Sequence, residues 1–180
     1  GPGRWIGTDK RGTAWYEEFQ DWSAADLRAL DSNGDTLNLL DGQDTSRDLV
    51  AFYARLEGDT YYFRADLFDL GFGADNGSVD LYVAIDCAPG GAEWLPDFLD
   101  TKVSNPWEVC VAVYGGSAGA VYNRNYQNLG WAWKGAYWRS DLDAVEFGIS
   151  RAALTDMGWD GRSPVYFQVF TARDGTNGGP

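Results

Sequence analysis

Apolar residues recur along this chain in short runs of period two, broken by clusters of Gly, Asp, Asn and Pro. That period puts alternate side chains on opposite faces of an extended backbone, so the pattern predicts strands. Eight are expected, over 49–56, 60–67, 79–87, 107–114, 120–126, 130–138, 144–149 and 165–171. In the third, Val79, Leu81, Val83 and Ile85 form one apolar face; several runs are apolar on both faces, which places them centrally. Helical signals are confined to 24–30, capped by Ser23, and 151–156, capped by Ser150 and stopped by Gly158. No repeat of 20–50 residues is present, which disfavours a propeller or solenoid. The expectation is an all-β antiparallel sandwich with one or two short helices.

Two stretches, 31–48 and 89–106, exceed an ordinary connection. Segments of that length tend to be binding elements or to be ordered by a cation. The segment from Asp31 to Asp41 places oxygen ligands at Asp31, Asn33 and Asp35 around Gly34, with Asp41 beyond, the way a loop wraps calcium. It resembles the start of an EF-hand or dockerin loop, but Thr36 stands where a glycine belongs and Gly42 where a bidentate acid belongs. An ordinary Asx-turn loop fits the same residues. The excess of 21 Asp over six Glu supports turns and cation sites alike.

Composition narrows the function. The 180 residues, 44% apolar and 23% charged, are those of one domain. Its core is expected over about 13–174, with 1–12 and 175–180 reading as Gly-rich linker ends. A net charge of −13 argues against nucleic acid or an anionic membrane as partner. No run approaches the roughly 20 apolar residues of a membrane span, so no membrane insertion is expected. With no His, no side chain titrates unperturbed near neutrality, and no Ser-His or Cys-His pair can be built. Glu17, Glu18, Glu108 and Glu146 do not converge in spacing, and Glu146, alternating against Val145, Phe147 and Ile149, is expected to face solvent. The chain is therefore read as non-catalytic. Cys87 and Cys110 lack zinc or redox spacing and are either one disulfide or two buried thiols.

Nine Trp, ten Tyr and nine Phe then become the main functional signal. Most belong to a core, with Phe52, Tyr53, Tyr61, Phe63, Phe147, Phe167 and Phe170 on alternating strands. Flat rings also stack on pyranose faces. In the predicted strand 130–138, Trp131, Trp133 and Tyr137 share a face with Gly135, a ladder suited to a sugar chain if displayed and equally suited to a buried face. Trp94 and Trp107, in or beside the long 89–106 segment, form the rival platform. Asn123, Arg124, Asn125, Gln127 and Asn128 are available for hydroxyls, or are turn residues.

From Asp143 to Leu154 a strand closes on Ile149-Ser150 before a short helix, and from Val165 to Asp174 a last strand ends near Arg173-Asp174. Together with Arg47-Asp48 before a strand, the 61–67 hairpin arm and the run Leu81-Tyr-Val-Ala-Ile-Asp86, this is similar to DOMON-like β-sandwich domains over about 45–174. These include family 9 carbohydrate-binding modules and the C-terminal domains of glucodextranases and amylopullulanases. The resemblance implies an immunoglobulin-like, jelly-roll-type sandwich, often calcium-bearing, in a secreted or cell-surface protein with covalently linked neighbouring domains, and polysaccharide or oligosaccharide as ligand. Haem, which related domains hold through Met and His, is not expected, since the chain has Met157 alone and no His. The second reading is a docking sandwich that packs against a catalytic neighbour and binds nothing itself.

Overall fold

The structure, a computed structural model, describes residues 22–30, 49–67, 79–97, 99–115, 118–139 and 143–172. The described residues form strands β1 (Leu27–Leu30), β2 (Leu49–Glu57), β3 (Thr60–Leu67), β4 (Asp80–Asp86), β5 (Ala92–Trp94), β6 (Lys102–Trp107), β7 (Val109–Val113), β8 (Gly119–Asn123), β9 (Trp133–Arg139), β10 (Ala144–Ser150) and β11 (Tyr166–Ala172), with one α-helix among them, α1 (Ala152–Thr155). A five-stranded sheet runs β1-β2-β3-β10-β9, a four-stranded sheet β11-β4-β7-β8, and β5-β6 pair apart. Every pairing is antiparallel. The expected all-β sandwich with a short helix is what forms.

The two larger sheets enclose one core. Phe52, Phe63 and Phe147 from the five-stranded sheet meet Leu81, Val83, Ile85, Val109 and Val111 from the other, all fully buried. The rings of Tyr61, Phe63 and Phe147 stack in series at 5.2–5.3 Å, and Phe167 of β11 meets Phe63 edge-on at 5.7 Å. Such pairings are worth about 0.5–1.5 kcal/mol beyond the area they bury. Tyr53 does not join this core. It lies on the other face of β2, 6.1 Å from the Trp22 ring.

A second apolar layer explains why β4 and β7 are apolar on both sides. Tyr82, Ala84, Cys110 and Ala112 face away from the main core and are covered by Ala92, Leu95, Leu99, Val103 and Trp107 of the β5–β6 region. Cys87 belongs to the main core and Cys110 to this second layer, so the sheet separates two free, buried thiols.

Four departures from the sequence expectations concern element type, element boundaries and the burial of Glu146. Residues 24–30 do not form a helix: a single 3-10 turn, Ala24–Asp26, gives way to β1, which pairs with β2. The Asp26 carboxylate accepts from the Ser23 N–H at 3.0 Å and from Arg55 Nε at 2.9 Å, tying the turn to β2. That guanidinium holds the Asp26 carboxyl below its ordinary range. A one-turn helix gains little on its own, so sheet pairing prevails. Next, the 89–106 segment is not all loop, because it contains β5 and β6. Glu146 is the third departure. It does point away from the core, opposite Tyr137 and Arg64, but is fully buried, with Trp22 Nε1 donating to its Oε1. Last, strands expected over 120–126 and 130–138 are shorter, ending at Asn123 and starting at Trp133. Among the described residues no helix is long and apolar enough to cross a membrane.

Candidate ligand-binding cleft

The β5–β6 hairpin and the turn after β8 meet over the outer face of the four-stranded sheet and leave a cleft of about 680 Å³ between them. Trp94, Asp97, Asp100, Tyr122 and Tyr126 line it, with Leu95 and Pro96. Its two most exposed rings, Trp94 and Tyr126, are each 46% exposed. Large apolar side chains displayed together in a concavity are the exception in a soluble protein and mark a contact surface.

Local chemistry builds each wall. On one side, Gln168 of β11 grips β6: its Oε1 accepts from the Ser104 and Asn105 N–H groups at 3.0 and 3.2 Å, and its Nε2 donates to the Asn105 carbonyl at 2.8 Å. Trp107, at the end of β6, is fully buried and its Nε1 donates to the Trp94 carbonyl at 3.1 Å. On the other side Asn123 stops β8 by folding the chain around its own side chain. Its Oδ1 accepts from the Asn125 and Gln127 N–H groups at 3.0 and 3.1 Å, and its Nδ2 donates to Gln127 Oε1 at 2.9 Å. This turn holds Tyr126 at φ 61°, a left-handed conformation that costs a non-glycine residue about 1–3 kcal/mol. Tyr126 then bridges the walls. Its hydroxyl donates to the Trp94 carbonyl at 2.9 Å, and its ring meets Trp107 edge-on at 5.5 Å.

The cleft has a carboxylate at its base. Asp97, also left-handed at φ 63°, accepts from the hydroxyls of Tyr82 at 3.0 Å, Tyr122 at 2.9 Å and Tyr114. Burial first, and the Asp97 charge second, push the Tyr82 phenol far above its ordinary range. Tyr114 and Tyr122 are raised mainly by burial too, so all three stay neutral and donate. Asp100, left-handed at φ 51°, stands exposed at the rim.

Of the residues singled out in the sequence, Trp94 and Trp107 come together here, though only Trp94 can touch a ligand; Trp107 supports it from behind. Trp131, Trp133 and Tyr137 do not form one face. Trp131 sits on a 3-10 turn (Gly130–Ala132) and is 56% exposed. A bulge at Lys134 and Gly135, with Gly135 at φ 108°, reverses the alternation in β9. Trp133 therefore shares the inward face with Ala136 and Trp138, opposite Ile149, Phe147 and Val145, while Tyr137 lies on the other face opposite Glu146. The Trp133 indole presses on Gly119, where a Cβ has no room. The polar residues of the 123–128 turn shape the backbone more than they offer hydroxyl partners. Asp97, Asp100, Tyr122 and Tyr126 were missed. The available signal was an aromatic inside the polar run Asn123-Arg-Asn-Tyr-Gln-Asn128, and the acids of the 89–106 stretch.

Asp31, Asn33, Asp35 and Asp41 lie outside the described residues. Among the described residues no three His, Cys, Asp or Glu side chains are grouped to hold a metal ion. A smaller pocket of about 360 Å³ is lined by Asp86, Cys87, Pro89, Asp160, Ser163 and Tyr166, among others. Burial, then the nearby Glu108 and Asp86 charges, push the Cys87 thiol up to about 12, so it stays protonated and a poor nucleophile. No protein family model matches the chain, and no curated protein matches it.

Proposed function

We propose that this sandwich is a non-catalytic carbohydrate-binding module of a secreted or cell-surface, polysaccharide-active protein, and that the cleft between Trp94 and Tyr126 is its binding site. One observation carries the reading: two half-exposed rings line one concavity whose polar edge is carboxylate and phenol. Rings of this kind take the apolar face of a pyranose while the acids accept hydroxyl protons. Pre-set strain at Asp97 and Tyr126 supports the same reading, because such conformations cluster at ligand-holding positions.

Trp94→Ala and Tyr126→Ala are each expected to weaken binding of a soluble oligosaccharide about tenfold, the loss of about 1.4 kcal/mol typical of a contact ring. Trp131→Ala, outside the cleft, is expected to leave it unchanged. Affinity electrophoresis against soluble α- and β-glucans, mannan and xylan, followed by calorimetry on the best ligand, gives the measurement. Loss of binding in Trp131→Ala alone would move the site. Silence of the wild type across the whole panel, monosaccharides included, would favour the docking sandwich instead.

Calcium belongs to the proposal through the spacing of Asp31, Asn33, Asp35 and Asp41. Saturating calcium is then expected to raise the melting temperature, by linkage to the native state, and Asp31→Ala together with Asp35→Ala to remove the rise. No heat on titration and no change in chelator would leave that segment an Asx-turn loop.

A further inference from the structure

We propose that the ligand of the Trp94–Tyr126 cleft is an amino sugar polymer, whose free ammonium group is taken by Asp97 and Asp100 while its ring faces rest on Trp94 and Tyr126. This rests on the carbohydrate reading above and narrows it by counting donors and acceptors. A neutral sugar hydroxyl both gives and takes a hydrogen bond, so sites that select it usually offer both. Among its described lining residues this cleft offers mainly acceptors, the Trp94 Nε1–H being the one side-chain donor not already paired. Its phenol protons are already committed: the Tyr122 hydroxyl donates to Asp97, and the Tyr126 hydroxyl to the Trp94 carbonyl. The Leu95 N–H is likewise spent on the Thr101 carbonyl at 2.9 Å. Among the described residues no Lys, Arg, Asn or Gln lines the cleft.

Beyond that indole N–H, what remains open is carboxylate. Asp97 accepts three protons, one fewer than the roughly four a carboxylate can take. Asp100 is exposed and makes no hydrogen bond or ion pair with another described residue. An ammonium group, with three donors and no acceptor, complements that surplus. Trp and Tyr faces add cation–π attraction, strongest for Trp. Across the hairpin Lys102, opposite Trp94, pairs with Glu93 at 3.2 Å. The chain's net charge of −13 draws cations towards the site at long range. A cleft of about 680 Å³ with two separate rings exceeds what a lone ammonium needs and suits a chain of flat rings.

Calorimetry on the intact chain would compare β-1,4-linked glucosamine oligomers with N-acetylated and cello-oligosaccharides of equal length, and with trilysine. The glucosamine oligomer is expected to bind at least tenfold tighter than either neutral oligomer, about 1.4 kcal/mol. Raised salt is expected to erode that margin. Asp100→Asn, at an exposed position, is expected to remove the margin while Trp94-dependent binding of the neutral oligomers persists. Equal binding of the neutral oligomers would overturn the amino-sugar assignment and leave the carbohydrate reading intact. Trilysine binding as tightly as the glucosamine oligomer would overturn it in favour of bare charge. Binding of no oligosaccharide at all would remove both readings.

Discussion

Replacing Trp107 by Ala is expected to lower the unfolding free energy by about 3–5 kcal/mol, the usual cost of truncating a buried Trp. The same change should abolish ligand binding well below the melting temperature. Trp107 is fully buried in the layer between β5–β6 and the four-stranded sheet, among Tyr82, Leu95, Leu99, Val103 and Ala112. Its removal leaves a cavity under both cleft walls at once, because it holds the Trp94 carbonyl on one side and the Tyr126 ring on the other. Trp107→Phe separates the two roles. A Phe ring keeps most of the apolar contact but loses the Nε1 donor and the volume of the second ring, while the Trp94 carbonyl still accepts from Tyr126 at 2.9 Å, so the expected cost is about 1–3 kcal/mol. Urea unfolding followed by far-ultraviolet circular dichroism measures both variants. If Phe proved as damaging as Ala, the complete indole, donor and second ring together, and not a single six-membered ring, would be holding the cleft. A cost below about 1 kcal/mol for Ala would mean that the hairpin is not packed on the sheet as described.

Trp107 also marks how far the sequence could be read. Alternation located the sandwich strands other than β1, because each has one face against the core and a period of two registers that burial directly. It could not register β5 and β6. Lys102-Val-Ser-Asn-Pro-Trp107 is mostly polar, since only Val103 and Trp107 reach the layer beneath, and a proline inside such a run argues against a strand. The Trp131–Trp133–Tyr137 ladder failed for a related reason. One extra residue at the Gly135 bulge reverses every side chain that precedes it, and a lone glycine in a strand only hints at a bulge. The cleft itself depends on contacts between distant segments. Asp97 meets Tyr82, Tyr114 and Tyr122 only because the hairpin folds over β4, β7 and β8, and no spacing in the chain encodes that meeting. The long 89–106 segment did mark where to look, and Trp94 was legible as an exposed loop aromatic.

Glu108 is expected to separate a charge effect from a hydrogen-bond effect, with Glu108→Ala less stable than Glu108→Gln by about 2–4 kcal/mol. The residue is fully buried between β6 and β7. Its Oε1 accepts from the Cys87 and Ala88 N–H groups, both at 2.7 Å, and so fixes the turn that leaves β4. Its Oε2 lies against Gly91, where no Cβ fits, and finds no hydrogen-bond donor among the described residues. Burial raises the Glu108 carboxyl above its ordinary value of 4.5; the two N–H groups oppose that rise, and Asp86 beside it adds to it. A carboxyl raised in the folded state is favoured protonated there. Its contribution to stability is complete below 4.5 and is lost as pH climbs through the higher folded value. Gln keeps one oxygen for the same two N–H groups and carries no charge. Glu108→Gln should therefore match the wild type in acid, equal or exceed its stability above that window, and have the flatter pH profile. Ala removes the acceptor and leaves both N–H groups without a partner at every pH, a loss that a change of charge cannot restore. Urea midpoints of the three proteins from pH 4 to pH 8 give the comparison. Parallel profiles for Gln and wild type would mean that Glu108 keeps the same protonation state on unfolding, and the buried carboxyl would then have no part in the pH dependence of this fold.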